Sequence, residues 1–338
     1  MKAIAVTQHL ATDNPNCFTE VELDKPQAKG KDLLVRVKAV GVNPVDYKVR
    51  ASVKEIDTPK ILGWDAAGIV YEVGEDTSLF EVGDEVYYAG SIIRPGSNSE
   101  YQLVDERIVG KKPSNLSFEE AAALPLTTIT ACEALFERLG IEPNKTEKNN
   151  PHTLLIINGA GGVGSIAIQL AKVAGLQVIA TASRGETERW CRQLGADYCI
   201  NHHDEFLPAL NKIGFDAVDY ILCFNNTDRH WQNMADTIKP QGKICSIVGN
   251  KSPLDLNLLK SKSVTFAWEF MFTKSQYNTP DMASQGELLN RVCGLVEQGI
   301  IKTTFKENLG VLNPEHLAIA HRKLESGKTI GKLVLTGF

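Results

Sequence analysis

The seven cysteines of this 338-residue chain, Cys17, Cys132, Cys191, Cys199, Cys223, Cys245 and Cys293, include no C-x-x-C pair. Scattered thiols without paired spacing fit a reducing cytosol better than a disulfide framework. No stretch reaches the ~18 consecutive apolar residues that a membrane-spanning helix needs. Met1 to Val6 leads straight into a strand, without a long apolar core or a cleavage site. A cytoplasmic protein without a membrane partner is expected. Basic stripes are missing too, and a net charge of −5 with a pI near 5.9 argues against a nucleic-acid partner. Internal repeats and low-complexity tracts are absent. What remains is an ordinary soluble composition, 43% hydrophobic and 23% charged. The length exceeds one domain of roughly 150 residues, so a second domain of similar size must be present.

The most informative stretch runs from Thr153 to Gly175. Leu154 to Ile157 is an unbroken apolar run, suited to a strand buried on both faces of a parallel sheet, and Ile166, Leu170 and Val173 recur at helical spacing. Between them Gly159, Gly161 and Gly164 follow the pattern G-x-G-x-x-G, with Gly162 and Val163 inside it. The first glycine allows a sharp turn, the second lets a pyrophosphate approach the backbone, and the third lets the helix pack on its strand. The phosphates then meet a positive helix N-terminus. Further strands are predicted at Gln177 to Ala182, Tyr198 to Ile200, Ala217 to Phe224, Lys243 to Val248 and Val264 to Phe270. Helices are predicted near Glu186 to Leu194, Glu205 to Ile213 and Asp228 to Ile238. This β-α rhythm is that of a doubly wound, dinucleotide-binding Rossmann domain.

The tip of the second strand bears on which dinucleotide. A free ribose 2′-hydroxyl is usually held there by a carboxylate, yet the strand ends Thr181-Ala182-Ser183-Arg184. A hydroxyl and a guanidinium suit a 2′-phosphate, so NADPH is expected. Glu186, close by, keeps NADH as the minor reading. His202, after the third strand, is placed near the adenosine phosphate, while the run His202-His203-Asp204-Glu205 reads as an exposed loop rather than a metal cluster.

The first 120 residues read as an irregular β domain. Strands are predicted at Lys2 to Thr7, Phe18 to Leu23, Asp32 to Val40, Ala67 to Val73, Glu85 to Ala89 and Glu100 to Val104. Ser117 with Glu120 has capping-box spacing and opens a helix to Ala123; Thr127 to Leu139 is a bridging helix, and Glu142 to Pro151 a surface loop. After residue 270 come a helix around Glu287 to Gln298, a strand at Lys306 to Val311, a helix from Pro314 to Glu325 and a strand at Lys332 to Leu335. This tail lacks a core of its own and is expected to return to the first domain. The expected division is therefore 1–125, 126–270 for the Rossmann domain, and 271–338 as the returning segment.

Several segments together resemble the medium-chain dehydrogenase/reductase superfamily: Gly63-Trp-Asp-Ala-Ala-Gly68 with Val73-Gly74, Val82-Gly-Asp-Glu-Val86, Glu100-Tyr101, Ala121-Ala-Ala-Leu-Pro125, the glycine turn, and Gly331-Lys332. The likeness runs end to end and is greatest to zinc-free quinone oxidoreductases and enone reductases, including proteins often labelled zinc-type alcohol dehydrogenase-like. It implies a GroES-like β-rich substrate domain, a Rossmann domain and a cleft between them. It further implies that Asn43 and Tyr47 face the nicotinamide, Thr127 and Thr130 lie under or beside the ring, Val248 and Gly249 border it, and Lys332 is a late cofactor contact. Trp64, Phe270, Met271 and Phe272 would form an apolar substrate wall, or serve as core or subunit contacts. A homodimer paired along Val264 to Phe270 is expected on the same ground.

The zinc-dependent branch has Gly-His-Glu where this chain has Gly63-Trp64-Asp65. It has a cysteine where Asn43-Pro44-Val45-Asp46 stands, and a third ligand near Leu126-Thr127. An indole and a threonine cannot replace imidazole and thiolate. The stretch from Gly90 to Lys112, where a four-cysteine lobe would fall, contains no cysteine. No metal is expected. Without a Lewis acid, quinones and α,β-unsaturated carbonyls are the acceptors expected for a hydride from NADPH, since their charge delocalises on reduction. Tyr47 would orient the carbonyl or donate the proton; water or simple aromatic packing are the open alternatives. A zinc alcohol dehydrogenase with atypical ligands and a non-catalytic NADPH-binding sensor stand as the competing functions.

Overall fold

A computed structural model describes residues 1–53, 58–143 and 152–338; residues 144–151 of the expected surface loop lie outside them. In chain order the elements begin with β1 (Lys2–Val6), β2 (Thr19–Glu22), β3 (Asp32–Val42), α1 (Pro44–Ser52), β4 (Lys60–Ile61), β5 (Asp65–Val73), β6 (Glu85–Tyr88), β7 (Tyr101–Asp105) and β8 (Val109–Lys111). Next come α2 (Phe118–Ala122), α3 (Pro125–Cys132), a π-helical segment at Glu133–Arg138, β9 (Thr153–Ile157), α4 (Gly162–Val173), β10 (Gln177–Thr181), α5 (Gly185–Gln193) and β11 (Tyr198–Ile200). The chain continues with α6 (Phe206–Lys212), β12 (Val218–Cys223), α7 (Thr227–Thr237), β13 (Ile238–Ser246), α8 (Asn257–Lys260) and β14 (Thr265–Trp268). It ends with α9 (Thr273–Tyr277), α10 (Ser284–Glu297), β15 (Phe305–Val311), α11 (Pro314–Glu325) and β16 (Lys332–Thr336). Two compact units result, one of residues 1–129 with 272–338 and one of residues 130–271.

The first unit is β-rich. Its larger sheet runs β15-β16-β3-β5-β6-β8 with β7 also on β3, and β2-β1-β4 form a smaller sheet. The central strand β3 owes its place to length: Asp32 to Arg36 pair with β7, Ala39 to Val42 pair with β16, and β5 lines most of its other side. Its buried Leu33, Leu34, Val35, Val37, Ala39 and Val40 supply the core, burial that offsets the backbone ordering of an eleven-residue strand. At the end of β3 the chain turns at Asn43 into α1, which opens on Pro44. Proline suits that first position because its missing N–H would have had no intrahelical acceptor.

The second unit holds one six-stranded sheet, order β11-β10-β9-β12-β13-β14, all neighbours parallel. Every residue of β9 is buried, as befits a central strand covered on both faces. On one face Leu155, Ile157, Ile221 and Ile244 pack with Phe206, Leu210, Trp231 and Met234 from α6 and α7. This is the doubly wound Rossmann sheet, and with the β-rich unit it establishes the mixed α/β class. Among the described residues no helix is long and apolar enough to cross a membrane.

The structure differs from the sequence reading at three elements. The helix α1 was not expected, because nine residues with few apolar side chains carry little helical periodicity of their own. Strand β13 starts at Ile238 and ends at Ser246, not at Lys243 and Val248. Its pairing with β12 is interrupted where Gln241 takes a left-handed φ of 62°, a feature that reads locally as a turn. The bridging helix predicted through Leu139 is α-helical only to Cys132 and then widens into the π-helical segment.

Candidate active site

The glycine turn lies at the carboxyl end of β9. Asn158 adopts φ 70°, and Gly161 then caps α4 with extended backbone and no side-chain hydrogen bond. The amides of Gly162, Val163 and Gly164 are the first of the helix and have no acceptor one turn back. Gly162 and Val163 are partly exposed, so these donors and the positive helix end stand open to an anion. Gly164 is obligatory for a steric reason: a Cβ there would lie 2.3 Å from the Asn158 carbonyl oxygen and 2.6 Å from that of Gly159. Gly159 is equally crowded, its Cβ meeting the Ala180 Cβ of β10 at 2.7 Å. The uncapped N-terminus fits a dinucleotide pyrophosphate.

Around the same sheet edge, Ser183 is half-buried and Arg184 exposed in the turn between β10 and α5, with Glu186 exposed beside them. Thr187 ties that turn, its Oγ1 accepting from the Arg184 amide at 3.1 Å. His202 is half-buried after β11. Val248 and Gly249 follow β13; the Val248 carbonyl accepts from Thr227 Oγ1, and a Cβ on Gly249 would meet nothing within 4 Å. Thr130 is buried on α3, Met271 is buried and Phe270 is 45% exposed.

The first unit, by itself, holds a buried polar cluster. Lys332 Nζ donates to Asp65 Oδ2 at 2.8 Å, to the Val42 carbonyl at 3.1 Å and to Asn43 Oδ1. Asn43 Nδ2 donates to the same Asp65 oxygen at 2.8 Å, and the Leu126 amide donates to Asp65 Oδ1 at 2.7 Å. All three ammonium protons are thereby engaged, which is what makes an ion pair tolerable at this depth. Asp46 lies one turn into α1. Its Oδ2 accepts from the Asn43 amide at 2.7 Å, while its Oδ1 is buried without a hydrogen-bond partner among the described residues. Burial pushes its carboxyl up to about 7, against the lowering pull of the Asn43 amide and of Lys332. Tyr47, next on α1, is half-buried, and burial followed by the Glu325 carboxylate holds its phenol above the usual range. Thr127 is buried and donates through Oγ1 to the Leu124 carbonyl at 3.0 Å.

Trp64 is fully buried, donates through Nε1 to the Ser91 carbonyl at 3.0 Å, and meets Phe272 edge-on with centroids 5.8 Å apart. These residues do not fit zinc. An indole stands where the zinc-dependent branch has imidazole, the Asn43 amide is already hydrogen-bonded through both its heteroatoms, and Asp65 is neutralised by an ammonium that would repel a dication. Among the described residues no group of three or more His, Cys, Asp or Glu is placed to hold a metal ion.

Reading the residues alone did not single out the partnership of Asp65 with Lys332 or the buried acid Asp46. It also missed Arg229, on α7, whose Nη2 lies 2.9 Å from His203 Nδ1. Nothing local marks such pairs, since their members are distant in the chain.

A Rossmann sheet with an open glycine turn, joined in one chain to a β-rich unit carrying a buried Asn, Asp and Lys cluster, defines a nicotinamide-dependent oxidoreductase. Residues 29–114 match the alcohol dehydrogenase GroES-like domain and residues 162–285 the zinc-binding dehydrogenase family. The chain is 45% identical over 335 residues to the zinc-type alcohol dehydrogenase-like protein of Staphylococcus epidermidis, covering 99% of each. It is 31% identical to the 2-methylene-furan-3-one reductase of Solanum lycopersicum, over 99% of this chain and 79% of that one. Among solved structures, a putative zinc-dependent alcohol dehydrogenase protein from Rhizobium etli superposes with a TM-score of 0.95 at 48% identity, covering 100% of this chain and 98% of the other. The Escherichia coli quinone oxidoreductase complexed with NADPH gives 0.82 at 25% identity, covering 99% and 100%. The protein belongs to the medium-chain dehydrogenase/reductase superfamily.

Proposed function

We propose that the protein is an NADPH-dependent, zinc-independent oxidoreductase acting on quinones or α,β-unsaturated carbonyls, and that it works as a homodimer. The observation that carries the reading is the buried network of Asn43, Asp65 and Lys332. These side chains satisfy one another, beside Trp64, in the region where zinc-dependent relatives place ligands. Without a Lewis acid, reduction of a simple ketone lacks several kcal/mol of alkoxide stabilisation. A conjugated acceptor spreads that charge, so ordinary hydrogen-bond donors suffice. The quinone oxidoreductase and furanone reductase among its relatives support this substrate class.

When bound, a nicotinamide nucleotide supplies the hydride. The chain's own part is to hold and orient. The amides of Gly162, Val163 and Gly164 take the pyrophosphate, and Ser183, Arg184 and His202 take the 2′-phosphate end. Thr127, Thr130, Val248 and Gly249 border the ring, and Trp64, Phe270, Met271 and Phe272 form the apolar wall. Asn43, its amide locked by Lys332 and Asp65, sets the start of α1 and therefore the position of Tyr47. Burial and Glu325 keep that phenol protonated at neutral pH, as a proton donor or carbonyl-orienting group must be. Lys332 contributes to the cofactor side through Asn43.

The test is NADPH consumption by purified protein across a panel of quinones, enones, simple ketones and alcohols, with zinc measured on the same sample. Turnover confined to conjugated acceptors, with substoichiometric zinc and no effect of chelation, is expected. Stoichiometric zinc whose removal abolishes activity would establish a zinc alcohol dehydrogenase instead. Tight NADPH binding with no turnover anywhere in the panel would make the protein a sensor.

A further inference from the structure

Three loops at the carboxyl ends of strands in the parallel sheet bring together an unusual set of nitrogen groups. Arg184 follows β10, His202 and His203 follow β11, and Arg229 stands in the first turn of α7, after β12. The His202 and His203 rings meet edge-on with centroids 4.5 Å apart. Arg229 Nη2 lies 2.9 Å from His203 Nδ1. A guanidinium can only donate, so His203 Nδ1 is the acceptor and the ring proton sits on Nε2.

Within this set Arg229 is short of counter-charge. Elsewhere arginines sit against carboxylates: Arg94 on Asp32, Arg107 on Asp105, Arg138 on Glu269 and Arg192 on Glu188. Arg229 is exposed, and among the described residues no carboxylate pairs with it; its side chain is held by an imidazole instead. Asp204 and Glu205, next in the loop after His203, are exposed to solvent. His202 is half-buried, and its Nδ1 is buried without a hydrogen-bond partner among the described residues. Burial first, and then His203, Arg229 and Arg184, lower the affinity of His202 for a proton, so the ring is neutral near pH 7 and the guanidiniums carry the charge. One N–H of Arg229 is engaged by His203. The rest of the planar fork is available to an anion, and a phosphate is the group it fits bidentately.

We propose that Arg229, held in place by His203, selects the 2′-phosphorylated nucleotide. Arg229 is a specificity residue and His203 its positioning residue. The inference rests on the reading of the glycine turn as a dinucleotide site, since only a nucleotide laid there brings a ribose 2′-position toward these loops.

The experiment is direct titration of the full-length protein with NADPH and with NADH, followed by nucleotide fluorescence, for the wild type and for Arg229→Gln, Arg229→Lys, His203→Ala, His203→Gln and, as a charge control, Arg291→Gln on α10. Wild type is expected to prefer NADPH, and Arg229→Gln to lose roughly 10–100-fold in NADPH affinity with NADH binding unchanged. Arg229→Lys keeps the charge without the fork and should fall between. His203→Ala should weaken NADPH alone, and His203→Gln, whose amide oxygen can still accept from Arg229, should restore it. Arg291→Gln should change neither.

If the wild type binds neither nucleotide, or prefers NADH, the underlying cofactor reading fails and takes the inference with it. If the wild type prefers NADPH but Arg229→Gln keeps that preference, or loses both nucleotides equally, only the role of Arg229 is overturned. A matching loss in Arg291→Gln would reduce the effect to net charge and overturn it too.

Discussion

Asp46 is a fully buried acid in the first turn of the helix that carries Tyr47. Its carboxyl, pushed up to about 7 by burial, binds a proton in the folded chain that an unfolded aspartate would already have released at pH 5. The stability this proton brings is fully present below the unfolded value of about 3.8 and is lost as pH rises through about 7. Asp46→Asn keeps an oxygen for the Asn43 amide and removes the ionisation. Relative to wild type, the melting temperature of Asp46→Asn should therefore rise by a few degrees between pH 5 and pH 8, as measured by thermal unfolding at several pH values. A difference that stays flat across that range would show that Asp46 titrates as an ordinary surface acid. Asp65, equally buried, has a different partner set: Lys332 and two further donors satisfy its carboxylate.

At the scale of elements, the glycine turn offers a contrast between two kinds of glycine. Gly164→Ala would drive a Cβ to 2.3 Å from a backbone oxygen that cannot rotate away, so the start of α4 must shift from β9. A loss of about 1–3 kcal/mol in unfolding free energy is expected, with weaker binding of both nucleotides. Gly249→Ala meets open space and should leave stability within about 0.5 kcal/mol, so any change in nucleotide affinity there reports the site itself. Chemical denaturation of the two variants beside nucleotide titration reads both outcomes. The π-helical segment is a second element that carries charged groups. It carries Glu133 and Arg138, and buried Glu269 accepts from Arg138 Nε at 2.8 Å. Burial and then the Glu133 carboxyl push Glu269 up to about 9, so the Glu269 carboxyl holds a proton at neutral pH beside the guanidinium.

For the whole molecule, the open edge of the second unit's sheet is the feature with consequences for assembly. Strand β14 is the last in the order and pairs only with β13 among the described strands. On and just past it Trp268 and Phe270 are 44% and 45% exposed, with Phe266 edge-on to Trp268 at 5.0 Å. An apolar strand edge left to solvent invites pairing with another chain, and a two-fold axis beside β14 would close it symmetrically. Sedimentation at micromolar concentration should show a dimer, and Trp268→Lys should shift it toward monomer. A wild-type monomer, or a variant that remains fully dimeric, would rule this edge out.

Much of the architecture was readable from residue order because its signals are local. The apolar run before Gly159, the glycine spacing, the capping pair Ser117 and Glu120, and the strand and helix alternation that follows all act within a few residues along the chain. The absence of imidazole and thiolate at the ligand positions was likewise written in the sequence. The tertiary structure alone decided which partners the side chains at those positions find. Asn43 meets Asp65 across 22 positions, Lys332 reaches Asp65 across 267, and Arg229 reaches His203 across 26. A charge pair has no periodicity and no preferred spacing, so only the folding of β16 onto β3 and of α7 beside the loop after β11 could reveal which partners each charge would find.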